Sequence, residues 1–349
     1  MPDAALASAS DHLFTAVVII YALAMVAFAA DTSFGRRLDA RRAAARAVPQ
    51  RTGVPVLVGA PAAGTGPADG ETPPAGDRPR GSDGAGDVDA ASAVRAGGRL
   101  ATLGLVVTAI GWLVHVAEVV TRGIAAGRVP WGDMYEFSSA VCLVAVTGFL
   151  LLAVRQRARY LGVFVMVPVV LYLGLAGTVL YAKAGPLQPV LQSYWLKIHV
   201  VAAITATGAF MVAGVASCLH LVRRRYESAL TAGSAPRLVG LGARLPAGSS
   251  IERLEHRVIA FAFPIWSFAV IAGAIWAESA WGRYWGWDPK ETGSFITWVI
   301  YAAYLHARAT PSFRRTAPVL ALLGFAALLF NYYVINLVVA GLHSYAGLS

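Results

Sequence analysis

HVVAAITATGAFMVAGVASCLHLV, residues 199–222, runs without an Asp, Glu, Lys or Arg and stops at Arg223, Arg224 and Arg225. About 20 apolar residues cross the hydrocarbon core of a bilayer as a helix. In hydrocarbon every backbone N–H and C=O needs an internal partner, and a helix supplies it. The stretch therefore reads as a transmembrane helix. Working outward from it, similar apolar runs stand at approximately 13–30, 100–121, 137–154, 160–181, 257–277, 292–308 and 317–340. Those at 137–154 and 292–308 are short. The chain has 57% apolar and only 14% charged residues, against about 25% charged in a soluble domain. The expected fold is all-α, a polytopic integral membrane protein with about eight transmembrane helices.

The net charge of +10 raises the question of nucleic acid, and the placement of the charges answers it. With alternate loops assigned to opposite sides, segments 36–99, 155–159, 223–257 and 308–315 hold 23 of the 29 Lys and Arg. The other side holds Arg122, Arg128, Lys183, Lys197, Arg283 and Lys290. Positive residues collect in cytoplasmic loops, so the basic balance is a topology signal with both termini outside, and no nucleic-acid partner is implied. No Lys or Arg precedes the first apolar run, whereas Arg36, Arg37, Arg41, Arg42 and Arg46 follow it. A secretory signal has the reverse order, so residues 1–35 read as an uncleaved first span.

Residues 49–98 contain 7 Pro and 11 Gly without an apolar period. Segment 36–99 accordingly reads as a disordered cytoplasmic linker between the first span and a seven-span body at 100–349. Residues 226–250 read as a second cytoplasmic loop. Cys142 and Cys218 each fall alone inside a span, with no Cys-x-x-Cys. A disulfide or thiol relay is poorly supported, and both read as small packing residues.

This topology puts segments 122–136, 182–199, 278–291 and 341–349 outside. The third reads Trp281-Gly-Arg-Tyr-Trp285-Gly-Trp287-Asp288-Pro-Lys-Glu291. If helical, it places Trp281, Trp285 and Asp288 on one face. An aromatic belt at the interface would explain tryptophans alone, but it needs neither the Gly-Trp-Asp-Pro turn nor the acid pair Asp288 and Glu291. Flat indoles with Arg283 and Lys290 as partners for carboxylates suit a planar ligand bearing propionates.

Histidines narrow the choice. His199 opens the fifth span and His343 follows the eighth, so both fall outside, flanking the tryptophan loop. Two neutral imidazoles fill the axial positions of a haem iron, and haem becomes the leading ligand. His306 lies about 14 residues below the outer start of the seventh span, roughly 21 Å down a helix, in the inner half of the bilayer. Ionisable groups at that depth are costly and usually functional. His115 reads as a structural partner of Glu118 one turn on. His220 and His256 read as interface residues beside Arg223–Arg225 and Arg257, and His12 as terminal and uninformative.

The tryptophan loop resembles the signature of the WWD family of haem-handling proteins, and within it the cytochrome c biogenesis branch variously called CcsA, ResC or CcsB (System II). The likeness extends over residues 100–349. It includes Pro130-Trp-Gly-Asp-Met-Tyr-Glu136, Trp195-Leu-Lys-Ile-His199, Tyr304-Leu-His306 and Leu342-His343-Ser-Tyr345. The linker 49–98 is longer than that family's pattern. The resemblance implies export of haem b and its thioether attachment to apocytochrome c at a Cys-x-x-Cys-His segment, together with a ResB-type partner. It implies axial ligation of an outer haem by His199 and His343. It also implies an inner haem ligated by His306, with the second ligand supplied by the partner. The docking residues would be Trp281, Trp285, Trp287, Asp288, Glu291, Arg283 and Lys290. The residues themselves offer no nucleophile or general-base constellation, so no catalytic residue is assigned.

Two other classes of function remain. A haem chaperone or exporter that passes haem to a separate lyase uses the same parts. A redox-chain subunit with permanent haems would pair histidines inside facing spans, whereas here the pair lies outside them. With 26 Arg against 3 Lys and abundant Ala, the coding sequence suggests a GC-rich bacterium and hence a plasma membrane.

Overall fold

A computed structural model describes residues 4–35, 98–185, 191–234 and 239–343. Nearly all of the expected linker at 36–99, and Ser344 and Tyr345 of the tail, lie outside the described residues. Eight long helices follow one another: α1 (Ala4–Ala30), α2 (Arg99–Ala126), α3 (Met134–Arg155), α4 (Gly162–Thr178), α5 (Tyr194–Thr231), α6 (Gly248–Trp281), α7 (Pro289–Ala309) and α8 (Ala317–Leu329). The last continues through a wider turn at Phe330–Val334 to Val338. No strand occurs among the described residues. Seven of these helices are long and apolar enough to cross a membrane. The eighth, α7, opens on Lys290 and Glu291 and closes on His306 and Arg308, which lowers its hydropathy although its 21 residues are long enough. The protein is a multi-pass membrane protein.

Two helices outrun the expected spans at the arginine-rich end. The loop expected over 226–250 is helical to Thr231 and again from Gly248. Arg223 Nε donates to Glu227 Oε1 one turn later at 2.7 Å, a pairing that sustains a helix in water. Hydropathy detects only the apolar part of such a helix.

The surface is turned inside out relative to a soluble protein. Leu113, Ile124, Leu171, Phe261 and Ile271 are exposed, while Ser139, Thr207, Ser217 and Thr297 are buried. Small residues bring helices close, as is usual in lipid. A Cβ on Gly111 of α2 would lie 2.7 Å from the Tyr21 ring of α1. One apolar core joins α1 to α4 with one side of α5, the start of α6 at Ile251 and Leu254, and Tyr332. The other joins the opposite side of α5 to α6, α7 and α8. α5 is therefore the common wall of both cores.

Alternation of the helix ends is visible in the contacts. At the end holding six Lys and Arg, Arg122 of α2 ion-pairs with Asp11 of α1 at 3.4 Å. Arg128 Nε donates there to Gly185 O, beyond α4, at 2.8 Å. At the opposite end Glu252 of α6 takes Arg308 at 3.0 Å and Arg314 at 2.7 Å.

Candidate functional site

Local sequence builds the site's frame. Asp133 caps α3 by accepting from Glu136 N at 2.8 Å. Glu136 in turn accepts from Arg122 at 3.1 Å, Arg128 at 2.6 Å and Gly132 N at 2.8 Å. This buried network fixes the turn carrying Trp131. Burial and the nearby Glu136 push the Asp133 carboxyl up to about 6.

The tryptophan loop is not a helix. α6 stops at Gly282 in the left-handed region, φ 69°, a conformation that glycine adopts without steric cost. Trp287 also has positive φ, 57°. The single face expected for Trp281, Trp285 and Asp288 is therefore replaced by a tight loop. Glu291 holds that loop by accepting from Gly286 N at 2.9 Å and Asp288 N at 3.1 Å, and it pairs with Arg283 at 3.2 Å. The same carboxylate completes a capping box with Asp288 at the start of α7, where Pro289 occupies the first helical turn.

These elements enclose a mostly apolar cleft, partly open to the exterior, at the Lys- and Arg-poor end. His199, His343, Trp281, Trp285, Lys290 and Glu291 all line it. Arg283 and Asp288 stand behind the wall, Arg283 over the Trp281 ring at 6.0 Å. Trp287 does not line the cleft; its indole is 64% exposed and meets Phe295 edge-on at 6.0 Å. His306 sits in the last turn of α7, roughly 25 Å along that helix from its first turn. It is exposed and turned away from the bundle.

Both cleft imidazoles are held through Nδ1. His199 Nδ1 lies 2.7 Å from Ala269 O. A carbonyl can only accept, so this nitrogen carries the proton and Nε2 carries the lone pair. The approach requires Gly273, because a Cβ there would lie 2.7 Å from the same nitrogen. His343 Nδ1 lies 2.9 Å from Asp288 Oδ1, and Asp288 Oδ2 accepts from Leu342 N at 2.8 Å. Burial works to raise the Asp288 carboxyl, but the N–H groups of Leu342 and Lys290 and the His343 ring outweigh it and hold it below its ordinary value. Burial, then Lys290, push His343 down to about 4 against the pull of Asp288. At neutral pH its ring is uncharged, the form that binds a metal. Trp276 and Trp281 stand edge-on to this ring at 5.9 and 4.9 Å. Lys290 Nζ donates to Asn336 Oδ1 and lies 5.7 Å from the Tyr332 ring centre.

Sequence reasoning passed over Trp276, Gly273 and Asn336, which no motif singles out, and left Trp131 inside a stretch noted only for its resemblance. One smaller reading is refined: His115 is structural, but it does not hydrogen-bond Glu118 directly; Ser139 bridges them, with 2.9 Å to each. His220 is buried and lies 2.8 Å from Glu255. Cys142 is buried in the core, Cys218 is exposed and neither is paired.

An all-helical multi-pass membrane protein, with an aromatic cleft at one end presenting two Nδ1-anchored imidazoles and a lysine, defines the class. Residues 131–343 match the cytochrome c assembly protein family. The chain is 33% identical to the cytochrome c biogenesis protein CcsA of Gloeobacter violaceus, over 72% of this chain and 88% of that one. Identity to the CcsA of Porphyra purpurea is 31%, over 72% and 90% of the two chains. To that of Synechococcus sp. strain JA-3-3Ab it is 33%, over 70% and 86%. The chain belongs to the cytochrome c assembly family as a CcsA-type cytochrome c biogenesis protein.

Proposed function

We propose that the cleft receives haem as its substrate and presents it for covalent attachment to apocytochrome c, in concert with a ResB-type membrane partner. The observation that carries this reading is the pair of imidazoles at one aromatic cleft, each held through Nδ1 so that Nε2 keeps its lone pair. A hydrogen bond to the far ring nitrogen is the usual way a metal-binding histidine is oriented. The indoles of Trp281 and Trp285 supply flat apolar wall. Lys290 lines the cleft and supplies a hydrogen-bond donor for a propionate.

Attachment adds each cysteine S–H across a haem vinyl group. A C–S and a C–H bond form, the S–H bond and the vinyl π bond break, and nothing is oxidised or reduced. The chain's share is positioning, for which two oriented ligands and a shaped wall suffice. His306, exposed on an apolar face of α7 near the arginine-rich end, suits a first haem site completed by the partner. The excess of Lys and Arg at that end supports a cytoplasmic placement for it, with the cleft on the outer side of a bacterial plasma membrane.

The test is to purify the chain with its partner and a co-expressed Cys-x-x-Cys-His cytochrome, then stain for covalent haem. Attached product is expected. Haem bound to the membrane protein with no covalent product would favour the exporter that serves a separate lyase.

A further inference from the structure

His199 and His343 are anchored alike in geometry but not in chemistry. Ala269 O is a neutral carbonyl at the end of a peptide dipole. Asp288 is a carboxylate, kept in place by the backbone N–H groups of Leu342 and Lys290 at 2.8 and 3.1 Å. A carboxylate draws the Nδ1 proton more strongly than a carbonyl does, and the electron density gained at Nε2 makes that ring the better metal donor. The 0.2 Å difference between the two hydrogen bonds is smaller in consequence than the full charge on one acceptor.

We infer that the two imidazoles are unequal axial ligands: His343 is the one retained, and His199 is the one an incoming cytochrome histidine replaces. This rests on the axial-ligand reading above. In the exchange the Fe–Nε2 bond to His199 breaks and a bond to another neutral imidazole forms, so neither iron oxidation state nor proton count changes. One feature acts the other way: His343 stands on the tail after α8, whereas His199 is part of a 38-residue helix. Asp288 offsets this by binding the tail twice, through Leu342 N and His343 Nδ1. The backbone fits closely there, for a Cβ on Gly341 would lie 2.8 Å from Asp288 Oδ2. Trp276 and Trp281 confine the His343 ring from its edges. His199 instead packs on the bare α-carbon of Gly273 and is held by the one carbonyl of Ala269.

Carbon monoxide probes this directly, because it takes one axial position of ferrous haem and leaves the other ligand on. The holo-complex with its partner is reduced, treated with CO and photolysed, and the Fe–His stretch of the transient five-coordinate haem is recorded by resonance Raman. His199→Gly and His343→Gly supply the reference spectra of each single ligand. The wild-type frequency is expected to coincide with that of His199→Gly and to lie above that of His343→Gly. Asp288→Asn is expected to lower it in wild type and in His199→Gly, and to leave His343→Gly unmoved. A wild-type frequency matching His343→Gly, equal frequencies in the two references, or indifference to Asp288→Asn would each overturn the inference while leaving axial ligation standing. If neither glycine variant alters the low-spin ferrous spectrum, the axial-ligand reading falls and the inference with it.

Discussion

Asp288 holds the tail at His343 by two bonds: Oδ1 accepts from the His343 ring Nδ1 at 2.9 Å, and Oδ2 accepts from the neighbouring Leu342 N–H at 2.8 Å. The same carboxylate caps α7. One side chain thus joins the helix start, the tail and the orientation of an imidazole at the cleft. Replacing Asp288 with Ala removes the cap, worth about 1 kcal/mol, and the acceptor of the His343 Nδ1 proton. Loss of such a partner typically lowers metal-site affinity about 10–100-fold. Haem titration of the purified variant should show weakening of that order while the protein remains folded. Unchanged affinity would mean that Asp288 serves the fold alone.

Gly273 makes a contrasting prediction on the other imidazole. A methyl at this position meets His199 Nδ1 at 2.7 Å, and overpacking of this kind costs about 1–3 kcal/mol. Gly273→Ala should displace the ring and lose the spectral signature of its ligation. Gly174→Ala, where a Cβ meets nothing within 4 Å, should be silent. Equal behaviour of the two variants would refute the close approach.

The pH dependence has a defined sign. His343 is held neutral down to about 4, against an ordinary 6.5. Between those values the folded chain binds fewer protons than the unfolded one, so stability is full above about 6.5 and falls as pH is lowered towards 4. Asp288 acts lower: its contribution is present above 3.8 and is lost as pH falls through its depressed value. The haem-free protein in detergent should therefore lose Tm between about pH 7 and pH 4.5 more steeply than His343→Ala. Parallel curves would contradict the assignment.

Much of this was legible in the sequence, for identifiable reasons. Apolar runs ending in arginines mark helices because a bilayer tolerates nothing else, and the charge count alone groups His199, His343 and the tryptophan loop at one end. Side-chain direction within that loop was not legible. The helical pattern of Trp281, Trp285 and Asp288 fails because Gly282 and Trp287 adopt positive φ, which sends Trp287 outward to Phe295. Ser139, lodged between His115 and Glu118, and Gly273, beside His199, act through contacts between helices distant in sequence. No periodicity records those.

His306 and Trp285 separate the two proposed haem positions. His306→Ala should starve the cleft of haem, whereas Trp285→Ala should leave haem held near His306 and unable to dock. Haem content and spectra at equal protein abundance decide it. Identical loss in both variants would leave one site rather than two.

The central claim, that His199 and His343 ligate one haem at the cleft, is tested most directly by the absorption spectrum of the purified complex before and after dithionite. His199→Ala and His343→Ala are measured alongside, each with and without added imidazole. The account predicts a six-coordinate low-spin haem in the wild type, its disturbance in each variant, and partial return when imidazole fills the vacated position. Wild-type spectra in both variants, accompanied by normal cytochrome c maturation, would contradict it.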